Sequence, residues 1–238
     1  MVLIVVIFLF LFLYPMRPLP RKPRHVLTVY FGVPGSGKTT FATWLTRQTL
    51  RESWVVRLCK RFPKNRLCQW ILKSKRLRHP LPVWSNVPIT GAYKLDPQSD
   101  IGHYMICDGK VIIDEAGLEY NSRFFKTFPP EAIYFYKYHR HYGTSIDVFS
   151  QSHDDMDLTL RRLAQAYYVI SKSAIPFFVT MRLIRRKVGV DPQTHQIADI
   201  YSMGLPILDT RRIFSPVLWK YFNSYSRKEL PEKEWEKW

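Results

Sequence analysis

Acid is scarce in this sequence: 19 Asp and Glu stand against 36 Lys and Arg, leaving a formal net charge of +17. Between Glu52 and Asp96 there is no acidic residue at all. A surplus this large favours polyanionic partners, nucleic acid or anionic lipid head groups, over a solvated basic face kept only for solubility. Cysteine is scarcer still. Cys59, Cys68 and Cys107 form neither a CxxC pair nor an even set, which argues against a disulfide framework and a zinc site and fits a reducing compartment. Internal repeats are absent, and no long apolar stretch follows Ile170.

The long apolar run that does exist stands at the N-terminus. MVLIVVIFLFLFLYPM, residues 1–16, carries no charge. As a helix it would reach about 24 Å, somewhat short of the ~30 Å hydrocarbon core. A signal peptide would need a basic leading region and an A-x-A-like site, and neither is there. Positive charge comes afterwards, as Arg17, Arg21, Lys22 and Arg24 in a proline-rich linker over 17–25. The positive-inside rule then leaves everything after Pro15 in the cytosol. The expectation is a short single-pass anchor over 1–16, with an interfacial or cleaved segment as the alternative.

Downstream, VLTVYF (Val26 to Phe31) is apolar and β-branched, and reads as a buried strand. Thr39 to about Leu50 reads as a helix, and Val83 to Val87 and Val111 to Asp114 as strands, with a hairpin-like turn at Asp108-Gly109. A helix opens at Pro129-Pro130 and runs to about His141. Ile146 to Ser150 is another strand, Met156 to about Gln165 a helix, and Ala166 to Ile170 a further strand. This alternation predicts an α/β fold, three layers around a mostly parallel central sheet over 26–170, and the phosphate loop at Gly32 to Thr39 makes the expected class a P-loop NTPase. Beyond Ser171 it fades into a small C-terminal extension over 171–238, in which FFVTMRLIRRKVGVD reads as a hairpin.

Gly32-Val33-Pro34-Gly35-Ser36-Gly37-Lys38-Thr39, followed by Thr40, matches G-x-x-x-x-G-K-[ST] at every fixed position, after a strand and at a helix start. The glycines let backbone amides curl around phosphate, Lys38 reaches the β- and γ-phosphates, and Thr39 ligates Mg²⁺. ATP and Mg²⁺ are the implied cofactors. Val111-Ile112-Ile113-Asp114-Glu115 is an apolar strand running into paired carboxylates, the Walker B pattern. Asp114 is the expected partner of the metal shell and Glu115 the general base for an attacking water. A small-molecule kinase has no use for that second carboxylate. Gln151 ends the next strand, Ile146 to Ser150, where an amide can touch a γ-phosphate or the attacking water.

VPGSGKTT, the strand IIDEAG and HRHYG-x-x-I-D-V-x-x-Q together resemble the zonular occludens toxin (Zot) domain, which includes filamentous-phage assembly ATPases of the FtsK/HerA-like group. SNVPI (Ser85 to Ile89) is similar to a family segment as well. The resemblance implies a multimeric ATPase of the host inner membrane, with its ATPase domain cytoplasmic, extruding a virion of single-stranded DNA and coat protein. It assigns nucleotide roles to Lys38, Thr39, Asp114, Glu115 and Gln151. One departure is the apolar segment, which precedes the ATPase domain here and follows it in the phage proteins.

A ring motor would supply an arginine in trans, and Arg123, Arg140, Arg161 and Arg162 are the candidates. His139, Arg140 and His141 also suit a helix C-terminus electrostatically. The basic run from Arg57 to Arg78, with Phe62 and Trp70, fits a nucleic-acid backbone, an anionic lipid surface or a solvated loop. Functional alternatives to the extrusion motor are a nucleotide-switched membrane scaffold and a DNA-packaging ATPase.

Overall fold

The structure is a computed structural model describing residue 14 and residues 25–52, 54–73, 80–120, 129–190 and 197–222. The expected N-terminal anchor apart from Tyr14, the linker before His25, residues 121–128 with Arg123, the end of the basic run at 74–79 and the C-terminal tail lie outside the described residues.

Strand β1 (Leu27–Phe31) is buried along its whole length, as an apolar, β-branched run must be when both sheet faces are covered. It pairs in parallel with β5 (Ser145–Ser150) on one side and β6 (Ala166–Lys172) on the other. Beyond β5 come β4 (Lys110–Ile113), β2 (Val83–Ser85) and β3 (Tyr93–Lys94), all parallel. Beyond β6 the sheet turns antiparallel through β7 (Phe178–Val190), which pairs with β8 (Ile197–Met203) and β9 (Thr210–Phe214). The order β3-β2-β4-β5-β1-β6-β7-β8, with β9 also on β7, makes one nine-stranded sheet.

Helices cover both faces. On one, α1 (Lys38–Leu50) and a 3₁₀ helix (Pro216–Tyr221) pack Phe41, Leu45 and Leu218 against Tyr30, Ile112, Phe149 and Met181. On the other, α5 (Pro130–Tyr138) and α6 (Leu158–Leu163) set Phe135, Tyr136 and Leu160 against Val29, Ile113 and Val148. The period-2 alternation of β1 divides it between these two cores. Three small helices complete the described chain: α2 (Trp54–Arg61), α3 (Arg66–Lys73) and α4 (Ala116–Glu119).

Three expectations change. Asp108-Gly109 turns the chain without making a hairpin, because Asp108 N donates to Tyr142 O and β4 pairs only in parallel. FFVTMRLIRRKVGVD is not a self-paired hairpin: Phe178 to Val190 is one strand of 13 residues, whose antiparallel partners lie before and after it. The chain beyond Ser171 therefore continues the central sheet. The helix from Pro130 also stops earlier, at Tyr138, and a turn through His141 and Gly143 (φ 68°) leads into β5.

Candidate nucleotide site

Side chains from three neighbouring parallel strands converge at their C-terminal ends, where open α/β sheets bind ligands. The loop from β1 to α1 bends through Gly35 and Gly37 at φ 73° and 97°. At Gly37 a Cβ would also lie 2.6 Å from Val179 Cγ2, so only glycine fits there. A Cβ at Gly32 would sit 2.5 Å from Ser36 Oγ and 2.8 Å from Ile170 O. Lys38, buried, lays its ammonium across the loop, donating to Gly32 O at 2.9 Å and Val33 O at 3.4 Å. Ser36 Oγ is buried with no hydrogen-bond partner among the described residues, an orphan in a loop whose glycines leave a cradle for an anion.

Asp114 leaves β4 at its C-terminal end, with β5 lying between β4 and β1. Thr39 Oγ1 donates to Asp114 Oδ2 at 2.7 Å, joining the first turn of α1 to the carboxylate across that gap. Burial pushes the Asp114 carboxyl above its ordinary range, helped by the neighbouring Glu115 charge and opposed by the Thr39 bond and by Lys38. The Thr39 hydroxyl and the Asp114 carboxylate are oxygen donors of the kind Mg²⁺ takes together with substrate phosphates and water, so these residues fit that ion.

Glu115 follows in the left-handed region, φ 53° and ψ 45°, a rare backbone for a residue with a Cβ. Its amide donates to Asp114 Oδ1 at 3.1 Å. Its carboxylate lies between two groups: Gln151 Nε2 donates to Oε2 at 2.9 Å, and Lys38 Nζ stands 3.8 Å from Oε1. Lys38, Thr39, Asp114, Glu115 and Gln151 thus come together, although they come from three separate strand ends.

The Zot profile, described as zonular occludens toxin (Zot), matches residues 90–215, just over half of the sequence. The chain belongs to the Zot family. The match starts after the P-loop and runs past Ile170 through β9, so the antiparallel end of the sheet is part of it. No curated protein matches the chain. Among solved structures, the N-terminal domain of zonular occludens toxin from Neisseria meningitidis aligns at TM-score 0.52 and 17% identity, over 84% of this chain and 100% of that one, a likeness of fold. The genome packaging NTPase B204 of Sulfolobus turreted icosahedral virus 2, in complex with ATP-gammaS, aligns at TM-score 0.36 and 12% identity over 73% and 96% of the two chains. The RadB recombinase aligns at 0.38 and 15% over 79% and 90%. The last two likenesses are too loose to bear on function.

In this Zot-family chain the candidate arginines are scattered. Arg161 is held within its own chain, its guanidinium 3.1 Å from His153 Nδ1 and 3.5 Å from Asp154 Oδ1. Arg162 is exposed on α6, and Arg140 is exposed in the turn before β5, at the end of the parallel strands opposite the P-loop. Its neighbour His139 is buried, with Nδ1 2.6 Å from Tyr136 O and Nε2 3.2 Å from His25 O, so it ties the end of α5 to the start of β1.

One residue of the site escaped the sequence reading. Asn86, at the end of β2, accepts from Asp114 N and donates to Asp114 O, both at 2.8 Å. The only signal was its place inside SNVPI, a segment noted without a role.

Proposed function

We propose that this Zot-family chain is an ATPase that hydrolyses Mg²⁺-ATP at the C-terminal ends of β4, β5 and β1. In this reading it is anchored in the host inner membrane by residues 1–16 with its ATPase domain cytoplasmic, and it works as a ring extruding phage single-stranded DNA and coat protein. The observation that carries the hydrolytic part is the convergence of Thr39 on Asp114 and of Lys38 and Gln151 on Glu115. The motor and membrane parts are supported by family membership, the basic charge and the apolar N-terminal sequence.

The triphosphate rests on the amides of Gly35 to Thr39 and on the N-terminal end of α1. Lys38 exchanges its bonds to the Gly32 and Val33 carbonyls for β- and γ-phosphate oxygens. Thr39 and Asp114 would hold Mg²⁺, which would supply charge neutralisation at the phosphate oxygens. Glu115 accepts the proton of a water whose oxygen bonds to the γ-phosphorus, while the bridging oxygen leaves with ADP. Gln151, bonded to Glu115 Oε2, holds the base in place and senses its protonation.

A kinase places its acceptor where this site places a base. Phosphate release by the purified full chain is therefore measured with Mg²⁺-ATP and no acceptor substrate. The proposal expects steady release, lost in Lys38→Ala. ATP consumption that begins only when an acceptor is added, without free phosphate, would overturn it.

A further inference from the structure

The parallel strands have two ends, and the features left unused by the nucleotide site gather at the other one. Helix α1 starts at the P-loop and ends where the strands begin: Leu81 N donates to Thr49 O at 3.2 Å, just before β2 opens at Val83. From that edge grows a helical hairpin of α2 and α3. Its inner side buries Val56 and Cys59, but α3 buries no residue at all. Leu58, Phe62, Leu67 and Trp70 are 49%, 55%, 65% and 73% exposed. An isolated eight-residue helix is marginal in water, and four large apolar side chains on one small hairpin form a surface that calls for a cover.

We infer that this hairpin docks on an anionic membrane surface, so that the edge opposite the P-loop faces the bilayer. Apolar side chains alternate with Arg57, Lys64 and Arg66, also exposed, which is the composition of helices that lie in the head-group region. A nucleic-acid strand would stack on Trp70 and Phe62 but give Leu58 and Leu67 nothing to enter. A second copy of the hairpin would set like charges against each other.

Two further features point the same way. The last residue of the N-terminal apolar segment is residue 16 and β1 starts at Leu27 on this same edge, so the intervening residues 17–26 span at most about 35 Å. Helix α5, on the other face of the sheet, also ends here and exposes Tyr138 (48%) beside Arg140, an aromatic and cationic pair suited to the interface. The nucleotide edge is thereby turned toward the cytosol. The inference rests in part on the anchor reading of residues 1–16.

The test uses the full chain with phosphatidylcholine vesicles, with and without phosphatidylglycerol, at fixed salt. Two variants change exposed side chains only: Leu67→Glu with Trp70→Glu, and Lys64→Ser with Arg66→Ser. Unchanged phosphate release shows that both fold. Wild type is expected to bind anionic vesicles more tightly than neutral ones, with part of its tryptophan fluorescence quenched by brominated acyl chains. The apolar variant loses that quenching and about tenfold or more of the preference for anionic over neutral vesicles, a ratio in which the contribution of residues 1–16 cancels. The charge variant loses about fivefold per cation. A preference for anionic over neutral vesicles equal to wild type in the apolar variant would overturn the inference. So would release of wild type from vesicles by a short single-stranded DNA that protects Trp70, or loss of self-association by the variant without vesicles. Weak binding of every form to neutral vesicles would sink the anchor instead, and anionic binding that still depends on Trp70 would then support the hairpin.

Discussion

Asn86 holds Asp114 by its backbone, accepting from the amide and donating to the carbonyl at 2.8 Å each. It touches no reacting group, yet it fixes where the Asp114 side chain starts. Asn86→Ala removes both bonds and frees the Asp114–Glu115 turn, whose left-handed backbone at Glu115 costs of order 1–3 kcal/mol to maintain. The expected outcome is a loss of about tenfold or more in kcat for phosphate release, with a stability loss of about 1–3 kcal/mol in urea unfolding. At the same scale, His139 titrates against the fold. Burial pulls its pKa below the ordinary 6.5, with the Arg140 and His25 charges adding to the effect and the two carbonyl contacts opposing it. The unfolded chain binds that proton more tightly, so the stability His139 contributes is present above pH 6.5 and lost as the pH falls toward its folded pKa. A His139→Gln variant, compared with wild type by urea unfolding between neutral and mildly acidic pH, is expected to show a shallower decline.

At the scale of elements, β5 carries a charge through the middle of the sheet. Asp147 is buried, accepts from Lys110 Nζ at the start of β4, and accepts from Tyr30 OH at 3.3 Å. Removing one partner of a buried pair strands the other, so Lys110→Met is expected to cost about 3–5 kcal/mol in chemical denaturation, partly recovered by adding Asp147→Leu. The strands that carry the site were legible because each is a short apolar run ending in a polar signature: the P-loop after β1, Asp114-Glu115 after β4, Gln151 after β5. Their meeting was legible only as chemistry, since no spacing says that β5 lies between the other two. Asn86 was hidden because an amide after a strand has many ordinary reasons to be there. The 13-residue β7 was misread because its alternation alone does not name its partners, and β6, β8 and β9 all supply them.

For the whole molecule, the sheet separates two ends: the proposed nucleotide site where the parallel strands end, and exposed cations and aromatics where they begin. The proposed ring motor adds a dependence between copies. Mixing wild type with Lys38→Ala chains is expected to lower phosphate release more than in proportion to the variant fraction; a strictly proportional decline would mean that each copy works alone. The central claim, that these strand ends form a hydrolytic site with Glu115 as its base, is tested most directly by Glu115→Gln. Binding of a fluorescent ATP analogue and single-turnover phosphate release are measured side by side on the full chain. The account predicts binding close to wild type with release slowed about 10²–10⁴-fold. Release at the wild-type rate with binding intact would contradict it.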